Sequence, residues 1–84
     1  MRAVLLSLAL LAATPAMAAP CAARLHFVQE VIDKDLKTGF VGKVVHDEMA
    51  ADLAKASASC DAGQDAKAQS EIDATQRKHG YPVR

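Results

Sequence analysis

Apolar and polar positions change rhythm along this chain. From Val4 to Ala13 nearly every residue is apolar, with no alternation. From Cys21 onward, Cys21, Leu25, Val28, Ile32 and Leu36 recur every three or four residues, one face of a 3.6-residue period. After the break Gly39-Phe40-Val41-Gly42, helical spacing resumes in Val41, Val45, Met49, Leu53, Ala56 and Cys60. Past Gly63 the stripe thins, and Ile72 is the sole large apolar residue before His79, with Ala66, Ala68 and Ala74 nearby. The pattern predicts an all-α fold with helices over about 20–38, 43–60 and 65–79.

Local chemistry agrees with these limits. Pro20 suits a first helical turn, where its missing N–H costs nothing. Glu30–Lys34 and Asp33–Lys37 are i,i+4 pairs in the favourable acid-first order. Gly39 stands where a left-handed residue ends a helix, Asp61-Ala62-Gly63 reads as a stop, and Gly80-Tyr81-Pro82 as a terminator. The third helix is polar almost all round, through Lys67, Glu71, Asp73, Arg77 and Lys78, so it is expected to be the weaker one, loosely docked or frayed.

A break as short as residues 39–42 predicts an antiparallel pair of helices. Reflecting the chain about that break sets Cys21 level with Cys60, and His46 level with Asp35. Each cysteine also falls on the apolar stripe of its own helix. A disulfide needs its Cα atoms within roughly 7 Å, which this register supplies. The expected architecture is therefore a disulfide-stapled antiparallel helical hairpin, Cys21 to Cys60, with a weaker third helix packed on it.

The start of the chain changes how composition is read. A positive Met1-Arg2, the apolar run of about ten residues and Ala16-Met17-Ala18 make a secretory signal peptide over 1–18, cleaved, rather than a spanning helix of ~20 residues. Pro20 before Cys21 argues against lipidation, so no stable membrane anchor is expected after cleavage. The domain is then 19–84, a single small exported unit, periplasmic or secreted. Setting aside Arg2, it has nine Lys and Arg against ten Asp and Glu, a net of −1, which gives no reason to expect nucleic acid or an anionic membrane as partner. A chain this short buries only about 60% of its unfolded surface and needs a staple. An oxidising compartment permits one, and closing a loop of this length contributes ~4 kcal/mol.

Candidate chemistry is sparse. His46-x-x-Met49 places two soft-metal ligands one turn apart, but His26 lies nine residues along the first helix from the level of His46, about 13 Å, too far to share an ion. Met49 sits on the core stripe, where methionine fills space. The cysteines are too far apart in sequence for a C-x-x-C redox pair or a haem motif. Asp47, Glu48 and Asp52 form an acidic patch that reads as a solvated face. No phosphate loop, zinc set or calcium loop appears. The sequence therefore predicts a non-enzyme without cofactor or metal, and a chain too small for a deep cleft.

One excess remains. The first helix carries a second apolar stripe, Ala23, Phe27 and Val31, and the second carries Phe40, Val44, Ala51, Ala54 and Ala58. A bare hairpin leaves both in water, so the third helix, through Ile72 and Tyr81, or a second copy is expected to cover them. The expected function is an accessory or protein-binding module, with Phe27, Val31, Phe40, Val44 and Tyr81 as the candidate interaction surface. The partner is another protein or the chain itself as a homodimer. The alternative is a periplasmic metal-binding or acid-stress chaperone-like protein.

Overall fold

In the computed structural model, residues 20–83 are described. The expected leader, 1–18, lies outside them. Three helices follow one another: α1, Pro20–Thr38; α2, Lys43–Asp61; and α3, Asp65–Lys78. Their limits match the hydrophobic pattern to within one residue, α2 ending at Asp61 rather than Cys60 and α3 at Lys78 rather than His79, the usual fraying margin.

Cys21 and Cys60 are joined by a disulfide with Cα atoms 5.9 Å apart. A hydrogen bond reinforces the same corner. The backbone N–H of Cys21 donates to the Asp65 carboxylate at 2.9 Å. The first amides of a helix lack partners within it and carry partial positive charge, so a carboxylate satisfies both needs. α1 has no acid in its own first turn and takes one from α3.

The core draws on all three helices. Val28 and Ile32 of α1, Met49, Leu53 and Ala56 of α2, and Ile72 of α3 form one buried cluster, edged by Leu25, Val45, Ala50 and Tyr81. Five of the expected core positions, Leu25, Leu36, Val41, Val45 and Cys60, are only half-buried.

α3 corrects the expectation of a loosely held helix. Ala68, Ile72, Thr75 and Gln76 are all buried, and α3 packs most extensively on α2. Its docking face is partly polar because polar rungs do the fastening: Ser59 Oγ donates to Glu71 at 2.7 Å, and Thr75 Oγ1 to Asp52 at 2.9 Å. On the other side, the Arg24 guanidinium donates to Gln69 Oε1 at 2.9 Å and Gln76 Oε1 at 2.8 Å, and pairs with Asp73. Burying such groups is tolerable because each is paired. Ile72 fills the central core instead of covering the second stripes, so Phe27, Phe40 and Val44 stay 49%, 85% and 73% exposed.

α3 ends in a Schellman motif. Gly80 takes φ +77°, the Tyr81 N–H bonds Gln76 O at 2.8 Å and the Gly80 N–H bonds Arg77 O at 3.3 Å. This left-handed step turns the chain back along α1 and delivers Tyr81 to it.

Candidate functional site

Tyr81 is held at both ends. Its amide closes the helix terminus, and its hydroxyl donates to Asp35 Oδ2 of α1 at 2.7 Å. Burial chiefly, then the bond to Asp35 and that carboxylate's charge, push the phenol up to about 12, so it is a neutral donor at any physiological pH. The ring packs on the edge of the core.

Between Tyr81-Pro82 and α1 lies a cleft of about 320 Å³, lined by Phe27, Val28, Val31, Asp35, Gln76, Tyr81 and Pro82. That is the lower end of the range of ligand sites, about 300–1,000 Å³. A second, shallower cleft of about 460 Å³ adjoins it, lined by Asp35, Phe40, Val41, His79, Gly80, Tyr81 and Pro82. The two share Asp35, Tyr81 and Pro82 and so meet under the C-terminal strap. The expected absence of a deep cleft is thus corrected in part: the strap after α3 makes a walled space at the edge of the core.

Of the expected surface, Phe27, Val31 and Tyr81 line the first cleft, and Phe40 with Tyr81 the second. Val44 lines neither and stands apart on α2. Asp35, Gln76 and Pro82 were not foreseen. Nothing in the sequence marks Asp35 or Gln76, which read as ordinary polar positions on helices; both acquire their roles from α3 and the strap.

The histidines take separate places. His46 Nε2 faces Asp33 at 2.7 Å and its Nδ1 faces Asp47 at 2.9 Å, so the ring bridges α1 and α2 as an imidazolium donating to both. The partner is Asp33 rather than the Asp35 of the expected register. The bonds to Asp33 and then Asp47 raise the His46 pKa. The bond from His46, then that from Gln29, lowers Asp33; Lys43 and then His46 lower Asp47. His26 is exposed beside Glu30, at 3.4 Å. The His79 side chain is only 8% exposed, with Nε2 3.8 Å from Glu48.

Met49 is fully buried in the core, so His46-x-x-Met49 does not converge. Among the described residues no group of three or more His, Cys, Asp or Glu is arranged to hold a metal ion. No helix among them is long and apolar enough to cross a membrane.

No protein-family model, curated protein or solved structure matches the chain.

Proposed function

We propose that the protein is a small exported, non-enzymatic binding module, built as an antiparallel α1–α2 hairpin stapled by Cys21–Cys60, with α3 and the strap completing a contact surface. Two ties favour the hairpin: the disulfide near one end of the pair and the His46–Asp33 bond toward the other. The disulfide also favours an oxidising destination. The observation that carries the functional reading is the strap cleft. Phe27, 49% exposed, and Phe40, 85% exposed, flank clefts at the edge of the core. Large exposed aromatics beside a cleft mark contact surfaces more often than isolated ones do.

The test is in-cell photocrosslinking of the mature protein with crosslinkers at Phe27 and Phe40. A discrete partner whose capture is lost in Phe27→Ala supports a binding module. Recovery of nothing, or of a partner indifferent to that substitution, removes it.

An acid-responsive chaperone is a second reading, favoured by one observation. The polar ties that hold α3 and the strap to the other helices end largely on carboxylates: Asp65 to Cys21, Glu71 to Ser59, Asp52 to Thr75, Asp73 to Arg24 and Asp35 to Tyr81. On this reading, release of α3 from the other two helices in acid exposes Ile72 and the apolar core it fills. Aggregation of a client protein at acid pH, measured with and without this chain, decides it; no protection discards it.

A further inference from the structure

We infer that the two adjoining clefts form a single track for an extended peptide segment in which two apolar side chains flank a lysine or arginine. This rests on the binding-module reading and names the chemistry of the partner.

Three observations lead there. The first is length. From Phe27 to the end of α1 at Thr38 is about 16 Å along the helix axis, and Phe40 and Val41 of the second cleft lie beyond. A segment of about five extended residues spans that distance. A compact small molecule fills one cleft only.

The second is charge. Asp35 stands where the clefts meet, and it is the only Asp, Glu, Lys or Arg lining either of them. One of its oxygens accepts from Tyr81, and no described Lys, Arg or His lies at ion-pair distance from it. A partly buried carboxylate between apolar walls selects a cation flanked by apolar groups.

The third is a donor. Gln76 is only 3% exposed and lines the first cleft. Its Oε1 accepts from Arg24 at 2.8 Å, and a guanidinium can only donate, so the orientation of the amide is fixed. Its Nε2 makes no hydrogen bond among the described residues. It is the one side-chain amide N–H at the cleft left to meet a peptide carbonyl.

The intact, disulfide-bonded chain is titrated with three synthetic pentapeptides, leucine-serine-x-serine-leucine with lysine, norleucine or glutamate at x, which lack aromatic residues and place x and both leucines on one face of the extended segment. With one tyrosine and no tryptophan in the chain, emission reports Tyr81 alone. The lysine peptide is expected to bind on the order of tenfold tighter than the glutamate one. Asp35→Asn, which keeps an acceptor for Tyr81, removes the difference between the lysine and glutamate peptides; Phe27→Ala weakens all three. Equal affinities, a preference that survives Asp35→Asn, or no binding overturns the inference. Crosslinked capture through Phe27 alongside equal peptide affinities removes this inference and leaves the binding-module reading standing.

Discussion

The Tyr81 hydroxyl reaches Asp35 across 46 residues of sequence, at 2.7 Å, and fastens the end of the described chain to the last turn of α1. The bond is possible because Gly80 turns the chain back and Tyr81 is the first side chain past that turn. A polar anchor thus holds Tyr81 against a mainly apolar cleft.

Tyr81 ionisation reports this anchor directly. Ultraviolet titration of the folded protein is expected to give tyrosinate with a midpoint near 12, against 10 for an ordinary tyrosine. Because the folded pKa is raised, stability from this group is fully present below pH 10 and is lost as pH rises toward 12. Asp35→Asn should lower the midpoint only in part, since burial is the larger cause.

Gly80→Ala tests the turn itself. At φ +77° an added Cβ meets no neighbouring atom but strains the backbone, so the expected cost is about 1–2 kcal/mol. Thermal denaturation gives the loss, and a fall in the tyrosine midpoint shows that the strap has loosened.

The Asp33–His46–Asp47 bridge predicts a pH window. Its histidine pKa is raised, so its contribution is complete below about the ordinary 6.5 and fades as pH climbs through the raised value. Its aspartates are lowered, so theirs is complete above the ordinary 3.8 and fades below it. The bridge therefore stabilises most between pH 3.8 and 6.5. Denaturant midpoints of the parent chain and His46→Gln should diverge most inside that window and converge on its alkaline side.

Ile72→Ala separates docked from frayed for α3. The side chain is fully buried among residues from all three helices, so truncation is expected to cost 2–5 kcal/mol, about what cavity formation costs in cores generally. A change below about 0.5 kcal/mol, the scale of a surface substitution, would mean that α3 contributes little to the core.

Much of the helical layout was legible in the sequence, because apolar spacing and terminal glycines are local signals. Cys21, Val28, Ile32, Met49, Leu53 and Ala56 all sit where their stripes put them. The register was less legible: His46 meets Asp33 rather than Asp35, since reflecting a chain about its loop ignores how far the loop itself offsets the helices. The docking of α3 is hidden for a different reason. Thr75 and Gln76 look like solvent-facing residues until Asp52 and Arg24 are placed opposite them, and no period in a sequence announces a polar partner. The cleft inherits that blindness. Phe27 and Tyr81 stood out as unexplained aromatics, whereas Asp35 and Gln76 became visible only through their neighbours.

The Asp65 carboxylate that closes the first turn of α1 has a consequence for assembly order. Both fastenings at that corner, Cys60 and Asp65, are supplied by residues made some forty positions later. A nascent chain that has produced only its first helix owns neither, and a helix of that length in isolation is marginal in water. Its opening turn therefore stays unanchored until the second helix has been made in full and the third begun.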